Sequence, residues 1–181
     1  YRDLVETSDR LACRFLDAGV RPLDRVVVQL PNGPEFVHTY FALTRIGAVP
    51  VTALRAHRHT EVRHFVRASG AAAYVIPDRL GSFDYRPMAA EVQSEFPHLR
   101  RVFVAGEPAP GQADLREMVA APLEAVAAQA RLDALRPDPA EVATMLLSGG
   151  TTSLSKLIPR THDDYVLNAR LCGRVSGFGE D

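Results

Sequence analysis

The strongest constraint on this chain is an alternation. Residues 25–30, 48–52, 72–76 and 101–104 form short apolar runs, bounded by turn residues such as Pro31, Asn32 and Gly33 or Pro77 and Asp78. Runs of that length and composition read as buried strands. The stretches before and between them carry apolar residues at helical spacing. In 1–17 these are Leu4, Leu11, Phe15 and Leu16, with Gly19 as a stop; after Pro34 they are Phe36, Val37, Tyr40, Phe41, Leu43 and Ile46, up to Gly47. Helices are also predicted over 60–68, with Thr60 as a cap, and over 85–96. Strands separated by single helices can pair in parallel only through crossovers. The expected fold is therefore α/β, a doubly wound, mostly parallel sheet with helices on both faces.

Beyond 106 the pattern loosens. Pro108, Pro110, Pro122, Pro137 and Pro139 interrupt an alanine-rich stretch, so 107–139 is read as a surface excursion with one or two short helices inside a single α/β subdomain spanning 1–181. The chain re-enters the sheet at 142–147. A further strand is expected over 156–160, then a helix capped by Thr161, with Asp163 and Asp164 in its favourable first turn.

Charge and length exclude several classes of function. With 21 basic against 22 acidic residues the net charge is -1, which gives no basic stripe for a nucleic-acid backbone. No apolar run approaches the roughly 20 residues that span a bilayer, and no signal or transit peptide opens the chain, so a cytoplasmic protein without membrane contact is expected. Cys13 and Cys172 form no metal or disulfide pattern and read as reduced core thiols. His57, His59 and His64 cluster without acidic or thiol partners at ligand spacing beyond Glu61, which favours structural roles over a metal site. Phe36, Tyr40 and Phe41 read as core.

The chemistry concentrates in Ser148, Gly149, Gly150, Thr151, Thr152, Ser153, Leu154, Ser155 and Lys156. Lys156 is the single lysine among the 21 basic residues. A strand leading into two glycines, several hydroxyls and a lysine has the parts of an anion cradle: close backbone approach, hydroxyl donors and a mobile positive charge. It is not a Walker loop, because Ser155 precedes Lys156 and Leu157 follows it; nor is it a dinucleotide fingerprint, because its two glycines are adjacent. On residue types alone, a Ser/Thr/Gly turn without ligand is the somewhat favoured reading.

The same nine residues resemble the phosphate loop of the adenylate-forming superfamily, which runs Ser-Gly-[Thr/Ser/Gly]-Thr-[Thr/Ser]-Gly-x-Pro-Lys-Gly. The following stretch from Leu157 to Tyr165 resembles the branch that activates 2,3-dihydroxybenzoate or salicylate for siderophore assembly. Further matches lie in 24–32, in 41–43 with 47–51, and in 81–86, so the resemblance covers nearly the whole chain. It implies an enzyme that joins an aryl acid to ATP, with Mg²⁺, giving aryl-adenylate and pyrophosphate, and then loads the phosphopantetheine arm of an aryl carrier protein. Lys156 would be the catalytic cation. Ser148, Gly149, Gly150, Thr151, Thr152, Ser153 and Lys156 would hold the phosphates, and Thr152 would face the metal.

Three residues depart from the pattern. Ser153 stands at a usual glycine, Ser155 at a usual proline, and Arg55 at a proline expected within 53–58. The resemblance also covers only the first third of such ligases, so the chain is expected to be an N-terminal portion that works with further subdomains and is inactive alone. An exposed apolar face is expected where those subdomains pack. Two alternatives are a ligase for another carboxylic acid and a non-catalytic nucleotide-binding scaffold of the same fold. His162, just beyond the loop, borders the proposed site along the chain, but a role at the start of the last helix is the favoured reading.

Overall fold

A computed structural model describes residues 1–121, 123–149 and 154–178. Its centre is a seven-stranded sheet. The strands are β1 (Arg25–Val28), β2 (Val49–Thr52), β3 (Ala73–Pro77), β6 (Arg101–Ala105), β7 (Ala113–Asp114), β8 (Val142–Leu147) and β9 (Leu157–Thr161). A separate hairpin pairs β4 (Arg79–Leu80) with β5 (Phe83–Asp84). The order across the sheet is β7-β6-β3-β1-β2-β8-β9, parallel throughout except that β9 runs antiparallel to β8. This is the expected doubly wound α/β sheet.

The period-two alternation of the strands builds a core on each face. Val26 and Val28, Ala73 and Val75, and Phe103 point to one side, where they meet Leu11 and Phe15 of α1 (Arg2–Asp17) and Leu43 of α2 (Pro34–Arg45). Val27, Tyr74, Ile76, Val102 and Val104 point to the other, where they meet Val62, Phe65 and Val66 of α3 (His59–Ser69) and Met88, Ala89 and Val92 of α4 (Tyr85–Glu95). Segment 107–139 holds β7, α5 (Leu115–Ala120) and α6 (Ala125–Asp133), and its Leu115, Ala128 and Leu132 are buried in the first core.

Some expectations from the sequence are corrected. Thr60 is exposed inside α3 and does not cap it; the Glu61 carboxylate instead accepts from the Arg58 backbone N–H at 3.0 Å. Phe41 is 47% exposed, while Thr39, Ala42 and Leu43 carry the buried face of α2. Cys13 is buried, and burial pushes its thiol up, but Cys172 is exposed on α7 (His162–Val175). Among the described residues no helix is long and apolar enough to cross a membrane.

Asp84 shows how an acidic cap is built. Its Oδ1 accepts from the Arg86 backbone N–H at 3.1 Å, and the Arg86 guanidinium donates to both carboxylate oxygens, at 2.9 and 2.7 Å. That guanidinium holds the Asp84 carboxyl down to about 2, with partial burial opposing. An unfolded aspartate titrates near about 3.9. The sign follows by linkage: with the folded value depressed, the contribution of Asp84 to stability is complete above roughly pH 4 and is lost as the pH falls through 2. A carboxyl-detected NMR titration is expected to give a midpoint near 2, and a midpoint near 4 would contradict the ion pair.

Candidate functional site

The parallel strands end on one edge of the sheet, and that edge carries the site. In open α/β sheets ligands bind beyond the carboxyl ends of the strands, where neighbouring connections leave for opposite faces. Here β1 leads to α2 on the first face and β3 leads to α4 on the second. A cavity of about 530 Å³ lies at the carboxyl ends of β1 and β2, lined by Pro31, Asn32, Phe36, Thr52 and Arg55 among others. Its floor is held by a buried network. Gln29 Nε2 donates to the carbonyls of Leu54 and His57 at 2.8 and 2.9 Å, and Gln29 Oε1 accepts from the Tyr74 hydroxyl, which burial pushes well above its usual value.

The loop after β8 opens on this same edge, because β8 runs parallel to β2. Two contacts fix β8 there: Thr144 Oγ1 donates to the Pro50 carbonyl at 3.1 Å, and Thr52 Oγ1 donates to the Met145 carbonyl at 3.4 Å. The antiparallel register brings Leu147 opposite Leu157. One residue further out, the Ser148 N–H donates to the Lys156 carbonyl at 3.0 Å and the Lys156 N–H donates to Ser148 Oγ at 2.9 Å. Ser148 and Lys156 thus close the mouth of the loop with their backbones and one hydroxyl. The Lys156 side chain stays exposed, and among the described residues no acid pairs with it.

Gly149 sits exposed beside the mouth, with no positive φ and, among the described residues, nothing within 4 Å of where a Cβ would stand. Gly150, Thr151, Thr152 and Ser153, the other residues expected to line the cradle, lie outside the described residues.

The histidines sort by geometry. His57 Nδ1 accepts from the Leu54 N–H at 3.0 Å, and burial lowers its affinity for a proton; His59 lies 3.0 Å from Glu91 at the surface. Among the described residues no three metal-ligating side chains converge. His162 does not border the loop. The five residues of antiparallel β9, at about 3.3 Å each, carry it roughly 16 Å away, to the amino-terminal edge of the sheet. There its N–H donates to the Glu141 carbonyl at 3.2 Å, while Thr161 Oγ1 caps α7 by accepting from the Asp164 N–H at 3.2 Å. His162 is the first residue of α7, the helix-start role favoured from the sequence; its closeness to the loop along the chain is undone by the direction of β9.

His64, read from the sequence as structural, reaches the far side of the loop. From α3 its Nε2 lies 2.9 Å from the Ser155 carbonyl, 91 residues away in sequence, and no local spacing signals the contact. The Arg55 departure is absorbed. Arg55 is exposed and its carbonyl accepts from the Tyr85 hydroxyl and the Arg58 guanidinium, both at 2.7 Å, bonds that a proline carbonyl would also accept.

Beyond the loop, α7 buries none of its side chains. Val166, Leu167, Leu171, Val175 and Phe178 are exposed, as are Leu154 and Ile158. The helix packs against β8 and β9, at the β9 edge of the sheet.

The chain belongs to the AMP-binding enzyme family, whose match covers residues 1–180. It is 46% identical over 182 residues to a salicylyl-CoA synthase / salicylate adenylyltransferase of a Streptomyces species, a match that covers all of this chain and 33% of that protein. It is also 46% identical over 170 residues to the 2,3-dihydroxybenzoate-AMP ligase of Bacillus subtilis, covering 94% of this chain and 30% of the relative. The apo structure of Mycobacterium smegmatis MbtA superposes with a TM-score of 0.81 at 43% identity, over 93% of this chain and 30% of that one. The chain therefore spans about a third of the length of the relatives it matches.

Proposed function

We propose that this chain is the phosphate-binding portion of an ATP-dependent aryl-acid adenylating ligase. The observation that carries the reading is the Ser148–Lys156 mouth. It holds the only lysine of the sequence, unpaired among the described residues, on the ligand-binding edge of the sheet. In the sequence, the residues expected as the cradle run from Ser148 to Lys156. Identity of 46% to a salicylate adenylyltransferase and to a 2,3-dihydroxybenzoate-AMP ligase supports salicylate or 2,3-dihydroxybenzoate as the acid.

In the proposed reaction a carboxylate oxygen of the acid attacks the α-phosphorus of ATP. The bond from that phosphorus to the bridging oxygen breaks, and pyrophosphate leaves with the electron pair. The protein's part is positioning and charge neutralisation. Lys156 meets the charge that grows on the departing pyrophosphate. Ser148, Thr151, Thr152 and Ser153 offer hydroxyls to the β- and γ-phosphates, and Gly149 and Gly150 let the backbone N–H groups approach them. Mg²⁺, which needs few protein ligands when phosphate oxygens supply most of its shell, would add Lewis-acid neutralisation, with Thr152 as its protein ligand. Remaining subdomains of the same enzyme would supply the acid pocket, and an aryl carrier protein with a phosphopantetheine arm would take the product. We place the enzyme in the cytoplasm, acting in siderophore assembly.

The test is product analysis on the protein as its gene encodes it, with ATP, Mg²⁺ and a panel of acids. Mass spectrometry is expected to find an aryl-adenylate with salicylate or 2,3-dihydroxybenzoate and none with fatty or amino acids. An adenylate formed only from an aliphatic acid would overturn the substrate assignment.

A further inference from the structure

We propose that His64 is a positioning residue that holds the exit of the phosphate loop, and through it Lys156, in the conformation that receives a triphosphate. The proposal rests on the phosphate-loop reading above.

The mouth has two sides with unequal support. On the entry side, Ser148 continues β8, which is bound laterally by β2 through Thr144 and Thr52. On the exit side, Ser155 and Lys156 lead into β9, an edge strand paired only with β8. The His64 imidazole supplies what that side lacks. A carbonyl can only accept, so the 2.9 Å contact fixes the proton on Nε2 and makes His64 the donor to Ser155. His64 is half-buried on α3, between Val62 and the fully packed pair Phe65 and Val66, and its ring meets Phe65 edge-on at 5.8 Å between centroids. The donor is thus mounted on a helix anchored in the second core. Leu157, immediately after Lys156, packs against that same core. Lys156 is held from its amino side by the His64–Ser155 bond, from its own N–H and carbonyl by Ser148, and from its carboxyl side by Leu157. Its side chain is left free to point at the ligand.

The expected size of the effect follows from what one such bond contributes. A hydrogen bond of this kind gives a net factor of roughly 2 to 12, about 0.5–1.5 kcal/mol. If its loss lets the exit strand sample other conformations, affinity for a ligand that needs the ordered loop falls by the fraction of time the loop is competent. A ligand that does not reach the loop is unaffected.

The experiment compares binding of ATP, pyrophosphate and AMP, by calorimetry, to the native protein as its gene encodes it and to the His64→Ala and His64→Gln variants. His64→Ala is expected to weaken ATP and pyrophosphate by roughly 2- to 12-fold and to leave AMP unchanged. His64→Gln, which keeps an N–H donor of similar reach, is expected to recover most of the loss. Equal weakening of all three ligands, or no weakening of any, would overturn the positioning role; so would a glutamine variant as impaired as the alanine one. The underlying reading fails separately. If native protein binds ATP no better than AMP, or if Lys156→Ala leaves ATP binding intact, the loop is not a phosphate site and the role of His64 falls with it.

Discussion

Replacing Lys156 by alanine is expected to slow adenylation by a factor of roughly ten to a thousand while leaving the fold intact. A unit charge about 4 Å from a phosphate oxygen contributes about 1 kcal/mol in water and about 4 kcal/mol at the effective dielectric of a protein surface. Those limits correspond to rate factors of about five and about a thousand. Lys156 is exposed in the ligand-free chain; a bound triphosphate would exclude water and move the value toward the upper limit. Stability should not follow. The N–H and carbonyl of Lys156, not its side chain, make the bonds to Ser148, so the variant's unfolding midpoint is expected to match that of the native chain. Unchanged turnover would remove Lys156 from the mechanism, and a fall in turnover matched by a fall in stability would assign it a structural role.

The second large effect is on the fold. Phe103, on β6, the strand next to the β7 edge, is fully buried and meets the fully buried Phe15 of α1 edge-on, with ring centroids 5.0 Å apart at 80°. Phe103→Ala is expected to cost about 3–5 kcal/mol, from lost transfer energy and the cavity left between sheet and helix, plus the aromatic pair itself. Against a total stability of about 5–15 kcal/mol, that is a large share. Urea unfolding should show a lower midpoint with an unchanged slope, and Phe103→Leu should recover most of the loss. A cost under 1 kcal/mol would mean that the α1 face of the sheet is not the close-packed core described above.

The two cores explain why so much of the fold could be read from residue order. In 26–28, 73–76 and 102–104 every side chain joins one helix-covered core or the other, so these stretches are continuously apolar and the turns around them stand out. Where one-dimensional spacing failed, the cause was direction or exposure. Phe41 has the right period for α2 but is exposed. His162 follows the loop closely in sequence, yet the antiparallel β9 carries it to the opposite edge. Thr60 has cap chemistry, but the helix begins at His59 and Glu61 satisfies its start. The candidate site was legible in its residue types and in the family pattern they resemble. Its support was not, since the contacts from Thr144 to Pro50 and from His64 to Ser155 each join segments about ninety residues apart, and no local pattern encodes them.

The most direct test of the central claim is ATP–pyrophosphate exchange by the protein as its gene encodes it, with Mg²⁺ and a hydroxybenzoate. Exchange reports the breaking and remaking of the α–β phosphate bond, the step the loop is proposed to support. Label is expected to enter ATP only when salicylate or 2,3-dihydroxybenzoate is present, and the rate is expected to collapse in Lys156→Ala. Exchange that persists undiminished in that variant, or a protein that binds ATP yet exchanges with no carboxylic acid, would contradict the account.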